Sequence, residues 1–369
     1  MNDKKLFTPG PLTTSLSVKQ AMLRDLGSRD YEFINTIADI RKELLNLAEA
    51  PQSNYEAVIM QGSGTFGVES VIGSAIPKHG HLLVIINGAY GKRIRQMAQI
   101  LNISFDCLEY PENRVPDLRD VDQYLHDHQE TTHVAVIHCE TTTGILNPVH
   151  EIGSIVNRHQ RKFIVDAMSS FGVLPVSMEK DRIHFLISSS NKCIEGVPGF
   201  SFVIAERESL LACKGQARSL SLDLFAQWDG LQKDGQFRFT PPTHVVLAFR
   251  QALNELHQEG GRAGRENRYR ENHELLINGM KELNIKAYIA DDLQSPIITT
   301  FLPPDNPNYD FERFYKILNE RGLVIYPGKL TDRETFRIGN IGHLHSEDIQ
   351  DLLEAVKEAF IEMNILTRA

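Results

Sequence analysis

The sequence holds little from which to build a redox or metal centre. Its four cysteines, Cys107, Cys139, Cys193 and Cys213, are widely scattered and form no C-x-x-C pair. This excludes a disulfide framework and points to reduced thiols in a cytoplasmic chain. The 14 histidines include no H-E-x-x-H, so no metal site is expected. No apolar stretch approaches the length of a membrane span. The first residues, Met1-Asn2-Asp3-Lys4-Lys5-Leu6, run into a Thr8-Pro9-Gly10-Pro11 turn without a signal-peptide core. Positive charge is outnumbered: 39 Lys and Arg stand against 48 Asp and Glu, a formal net charge of −9. That balance argues against a surface that coats nucleic acid. Internal repeats and low-complexity tracts are absent as well.

What is present is the composition of a globular chain with room for two domains: 369 residues, 41% hydrophobic and 24% charged. From about residue 55 to 210, short apolar runs alternate with amphipathic stretches. Runs at 57–60, 82–86, 134–137, 163–165, 183–187 and 200–205 read as strands. Val68, Val71, Ile72, Ala75 and Ile76, like Ile94, Met97, Ala98 and Leu101, fall on helical faces. The alternation implies an α/β fold with a mostly parallel sheet covered by helices on both faces. Ligands of such sheets bind at the carboxyl ends of the strands. After the rigid connector Arg238-Phe239-Thr240-Pro241-Pro242-Thr243-His244, a long polar helical stretch over roughly 245–283 leads to a smaller α+β region. The expected division is an N-terminal segment at 1–15 lying over the active site, a large domain at 16–245, and a connecting helix with a small domain at 246–369.

Three motifs sit at strand ends. Gly62-Ser63-Gly64-Thr65 follows one strand and opens a helix, where backbone N–H groups and hydroxyls can take a phosphate. It is neither a Walker loop nor a clean dinucleotide fingerprint, since no G-K-[ST] follows and Asn87 stands where an acidic residue would be needed. By itself it reads equally as a capped tight turn. Asp166 ends the run at 163–165 and, taken alone, could simply cap the following turn. Lys192 lies in Ser188-Ser189-Ser190-Asn191-Lys192-Cys193, followed by a glycine-proline loop. A carboxylate and an amine at successive strand ends are what a pyridoxal phosphate enzyme needs: the amine for the Schiff base, the carboxylate to keep the pyridinium nitrogen protonated. Tyr90, after another strand end, could stack on a ring or fill a core rim. Arg337, inside an apolar strand, suits either a substrate anion or an internal ion pair.

These motifs resemble those of the class V, fold-type I pyridoxal phosphate aminotransferases. The matching stretches run nearly end to end: L-F-T-P-G-P-L-T-T-S, Q-G-S-G-T-F-G-V-E-S, N-G-A-Y-G-K-R, H-C-E-T-T-T-G-I-L-N-P, I-V-D-A-M-S-S-F-G, S-S-S-N-K-C-I-E-G-V-P-G-F, T-P-P-T-H-V-V-L-A-F, V-I-Y-P-G-K and F-R-I-G-N-I-G. R-S-L-S-L-D-L-F-A-Q-W and the N-K-C-I-x-G-V-P-G-F extension are similar to the phosphonate-processing branch. The resemblance implies pyridoxal 5'-phosphate as cofactor, Lys192 as the Schiff-base lysine and Asp166 as the ring-nitrogen partner. It also implies Ser63, Gly64 and Thr65 at the phosphate, Tyr90 on the ring, Thr141 or Thr143 at its edge, and Arg337 on the substrate anion. Thr240 would reach the cofactor phosphate of a second subunit, in a homodimer with shared active sites. The implied reaction moves an amino group from 2-aminoethylphosphonate to pyruvate. Segment 25–33 departs from the tryptophan-rich stretch of that branch and is nearer the H-R-x-x-x-F pattern of alanine–glyoxylate relatives. An alanine–glyoxylate or serine–pyruvate enzyme is therefore the alternative; a lyase needing no keto acid and a ligand-binding regulator are more distant ones.

Overall fold

The computed structural model describes residues 3–328 and 334–367. Seven strands form the main sheet, in the order Tyr55–Gln61, Phe200–Glu206, Phe185–Ser189, Lys162–Asp166, Thr131–Ile137, His81–Ile86, Ser104–Glu109. Phe200–Glu206 runs antiparallel to both of its neighbours; the remaining pairs are parallel. The mostly parallel α/β expectation is met. The central strands are buried on both faces, which is why they read as unbroken apolar runs rather than alternating ones.

Two strands differ from their expected outlines. The run at 183–187 becomes a strand only from Phe185, because Ile183 is tied back to the Met178 carbonyl and His184 to that of Phe163. Ser104–Glu109 was not visible as a strand. It is the sheet edge, its residues exposed or half-buried, so half-polar Ser-Phe-Asp-Cys-Leu-Glu suffices there.

The long helix expected over 245–283 is two helices, Thr243–Gln258 and Gly261–Glu282. The break falls at Gly260 and Gly261, with φ of +99° and +71°, conformations that disfavour other residues. The first helix lays Val246, Ala248, Phe249, Ala252 and Leu253 on the large core. The second contributes Leu276 and Met280 to a separate core built on Phe301, Phe314, Phe336 and Phe360. A three-stranded antiparallel sheet, Ile298–Phe301, Phe336–Gly339 and Tyr326–Pro327, carries that smaller core, with helices Phe311–Glu320 and Ser346–Glu362 against it.

The N-terminal chain joins the two regions. Lys5–Leu6 pairs with Leu323–Val324 and Phe7 enters the small core. Leu12 joins a third cluster with Cys139, Cys193, Tyr269 and Ile341, at the seam. Among the described residues no helix is long and apolar enough to cross a membrane.

Candidate active site

The parallel strands all end on one side, and the residues singled out by their strand-end positions converge there. Lys192 sits on the loop joining Phe185–Ser189 to the antiparallel strand. Ser190 closes that loop, its hydroxyl meeting the carbonyls of Val197 at 2.6 Å and Phe200 at 3.1 Å. The Lys192 Nζ donates to the Pro9 carbonyl of the N-terminal crossing. A Cβ on Gly10, at φ +123°, would lie 2.5 Å from that Nζ, so glycine allows the backbone to pass over the lysine. Burial lowers the Lys192 pKa to about 8, against the attraction of Cys193 and Asp166.

Asp166 is buried at its strand end and accepts the Met168 N–H at 2.9 Å. Burial raises its pKa to about 6, with Glu140 adding to the rise and Lys192 opposing it. The group is still mostly ionised at neutral pH and can hold a protonated ring nitrogen. Its local bond to Met168 is the turn cap considered in the sequence; cap and site coexist.

Glu140, which the motif reading passed over, is fully buried beneath the next helix. Its carboxylate accepts from the N–H groups of Tyr90 at 3.1 Å and Gly91 at 3.3 Å, and from the Thr142 hydroxyl at 2.6 Å. It thereby caps helix Ala89–Ile100 and fixes where Tyr90 starts. Burial still pushes its pKa up despite these donors. Gly88 makes the fit possible, because a Cβ there would lie 2.3 Å from the Glu140 carboxyl carbon.

Thr65, Tyr90, Arg93, Asp166 and Met168 line one small cleft. Arg93 stands 4.8 Å over the Tyr90 ring and reaches the Thr65 hydroxyl at 3.4 Å. Met168 packs on the phosphate turn so closely that a Cβ on Gly64 would lie 2.3 Å from its sulfur. Ser63 has extended N-cap geometry but makes no side-chain cap bond, so its hydroxyl is not spent on helix Gly64–Ala75. Arg93 and Met168 were missed because nothing in their local sequence marks them; only the fold brings them to Thr65 and Asp166.

Arg337 is buried and donates to the Thr141 carbonyl at 2.9 Å and twice to that of Pro327, at 3.2 and 3.0 Å. Among the described residues no carboxylate pairs with it. Burial lowers its pKa, while Tyr90, Tyr326 and Glu140 favour the charge. Tyr326, on the neighbouring strand, places its ring 5.9 Å from the guanidinium and its hydroxyl 3.4 Å from the Gly10 carbonyl. The two threonines differ: the Thr143 hydroxyl is committed to the Glu112 carbonyl at 3.0 Å, whereas Thr141 lies directly on Arg337. Thr240 is exposed, and its carbonyl accepts from Gln61, just before the phosphate turn. Lys329, which ends the V-I-Y-P-G-K motif, lies outside the described residues.

These groups fit pyridoxal phosphate on the donor set alone: a desolvated lysine, a buried carboxylate, a helix N-terminus with a spare hydroxyl, and an aromatic ring between them. Comparisons with known proteins agree. Aminotransferase class-V matches residues 14–350. The chain is 51% identical to a 2-aminoethylphosphonate–pyruvate transaminase of Lysinibacillus sphaericus, covering 99% of each. It is 49% identical to a bifunctional phosphonoacetaldehyde hydrolase/aminoethylphosphonate transaminase of Clostridioides difficile, covering 97% of this chain and 56% of that protein. A solved alanine–glyoxylate aminotransferase of Nostoc sp. superposes with a TM-score of 0.91 over 98% of this chain and 96% of its own, at 23% identity.

A neutral Lys192 amine acting as the base would make the donor half-reaction speed up about tenfold per pH unit below the Lys192 value of about 8 and level off above it. Single-turnover rates from pH 6 to 9 test this; a flat profile would remove the lysine as the titrating base.

Proposed function

The chain belongs to the class V aminotransferases and uses pyridoxal 5'-phosphate, and we propose that it transfers the amino group of 2-aminoethylphosphonate to pyruvate, giving 2-phosphonoacetaldehyde and L-alanine. The observation that carries the reading is Arg337, a buried guanidinium at the site with no carboxylate partner among the described residues. Its planar fork suits a phosphonate in one half of the cycle and a carboxylate in the other. Near-full-length identity to enzymes named for this reaction supports it. So does the fusion of one relative to a hydrolase named for the expected aldehyde product.

When bound, the cofactor supplies an aldehyde to carry the amino group and a ring to accept the electrons of the breaking C–H bond. The chain supplies the rest. Lys192 would carry the cofactor until the donor amine displaces it, and its freed Nζ would then take the proton from the donor carbon bearing the amino group and give it up on the cofactor side rather than to the carbon it came from. Asp166 would hold the ring nitrogen protonated. Ser63, Gly64 and Thr65 would bind the phosphate, Tyr90 would lie on the ring, and Thr141 rather than Thr143 would meet its edge, since the Thr143 hydroxyl is already engaged. Pro9 and Gly10 would keep water from the lysine.

We also propose a homodimer in which Thr240 serves the second site. Large apolar residues left exposed support it: Leu23 at 83%, Tyr31 at 84%, Leu220 at 75% and Phe239 at 43%. Light scattering of the purified chain should give twice the chain mass; a monomer would sink this part. The separate cores support a large and a small domain, but helix Thr243–Gln258 packs on the large core, so the boundary expected between 245 and 246 is better placed at the Gly260–Gly261 break, to be read from limited proteolysis. Free Cys107, Cys139, Cys193 and Cys213 support a reducing, cytoplasmic setting, which cell fractionation would check.

Visible absorption tests the donor. Purified protein should lose its cofactor band on adding 2-aminoethylphosphonate alone and regain it with pyruvate. A band that ignores this amine but bleaches with alanine or serine would assign the alternative named by segment 25–33. Lys192→Ala should abolish both the band shift and turnover.

Arg337→Ala should lower kcat/KM roughly 100-fold for the phosphonate and for pyruvate alike, the loss of a charge-assisted bidentate contact. Unchanged values for either substrate would end its role for that substrate.

A further inference from the structure

Just beyond Lys192 lies a buried charge cluster that none of the roles above uses. Glu195 is 1% exposed and holds φ at +66°, a region that most side chains avoid. Its N–H donates to the Lys192 carbonyl at 2.7 Å, closing the turn that presents the lysine. Its Oε1 accepts from the Tyr269 hydroxyl at 2.6 Å and from Arg268 at 2.7 Å, with the Arg265 guanidinium at 3.2 Å. Arg265, also 1% exposed, donates to the Cys193 carbonyl at 2.8 Å. A second carboxylate, Glu259, pairs with both arginines. Two carboxylates and two guanidiniums thus balance. Burial works against the Arg268 charge, yet Glu195 and Glu259 hold its pKa above the ordinary value.

The cluster also reaches the other pieces of chain that meet at the lysine. Arg268 donates to the carbonyls of Gly342 at 2.7 Å and Leu344 at 2.9 Å, just past the strand that carries Arg337. The Gly342 N–H donates to the Tyr269 hydroxyl at 2.9 Å. His343 donates to the Thr13 carbonyl at 2.8 Å, in the N-terminal chain that continues back to Pro9. Stability is a weak reason for such a cluster, because desolvating each ion costs several kcal/mol and an apolar replacement is often as stable. A fixed geometry is the better reason: a reacting group displaced by about 1 Å can lose about 100-fold in rate.

We propose that Glu195, clamped by Arg265, Arg268 and Tyr269, is a positioning residue for Lys192 that sets its nitrogen relative to Arg337 and the N-terminal crossing. The proposal rests on the assignment of Lys192 as the proton-moving base. The full chain loaded with pyridoxal phosphate tests it through Glu195→Gln, Glu195→Asp and Tyr269→Phe. Glu195→Gln should retain the visible cofactor band, lower kcat about 10- to 100-fold, leave both KM values within about twofold, and shift the pH at which the band titrates. Tyr269→Phe should act in the same direction with a smaller loss, and Glu195→Asp should recover part of the rate. Variants that lower the melting temperature but leave kcat and the titration of the band as in the parent would overturn the proposal. If Glu195→Gln does not fold, Tyr269→Phe decides by the same readouts. Lys192→Ala keeps the two readings apart: turnover that survives it removes the lysine and this proposal together, whereas turnover lost there beside an unaffected Glu195→Gln removes only the positioning role.

Discussion

A primary amine is useful as a base near neutral pH only where water is kept from it. The desolvation of Lys192 is the condition on which the rest of this molecule turns. It needs a sheet whose strands are apolar on both faces, so that their ends open into a low-dielectric pocket. It needs the Pro9–Gly10 crossing above the amine and the Ser190-closed loop beneath. The same dryness acts on Asp166 in the opposite sense, raising a carboxyl where it lowers an amine. Left alone, the two effects would neutralise both groups. The Met168 N–H and then Lys192 hold the Asp166 carboxyl partway down, and Cys193 and then Asp166 hold the Lys192 amine partway up.

Much of this was legible in the chain, for a directional reason. Parallel strands share one carboxyl end, so residues just after apolar runs must meet, and Ser63, Tyr90, Thr141, Asp166 and Lys192 all stood in that position. Residues whose place depends on a distant partner were not legible. Glu140 needs the gap at Gly88 and the helix that starts at Ala89. Met168 needs the bare backbone of Gly64. The edge strand Ser104–Glu109 shows no core pattern because it has little core to face. An arginine in an apolar strand announces that it needs partners without saying which, and only the structure shows that those among the described residues are the carbonyls of Thr141 and Pro327. The break at Gly260 was masked by helical composition on both sides, and only the backbone angles expose it.

The comparisons separate what is general from what is particular. A chain with 23% identity superposes with a TM-score of 0.91, so the backbone fold tolerates wholesale replacement of side chains. Relatives named for one phosphonate reaction keep about half of theirs over the full length. The fold accounts for where the strands end; which side chains stand there, and the substrate they take, are set by the sequence laid on it.

The N-terminal crossing has a practical side. Its near end is held by the pairing of Lys5–Leu6 with Leu323–Val324 and by Phe7 in the small core, its far end by Leu12 in the seam, and its middle lies on the Lys192 amine. A short ribbon fastened at both ends and loaded in the centre is a working part rather than a trailing end. A protease nick between Phe7 and Leu12 would leave both cores whole, and the sample would melt and migrate as before. Its lysine, newly wet, would hold its proton more tightly than in the intact chain, a change that assays of integrity would not register.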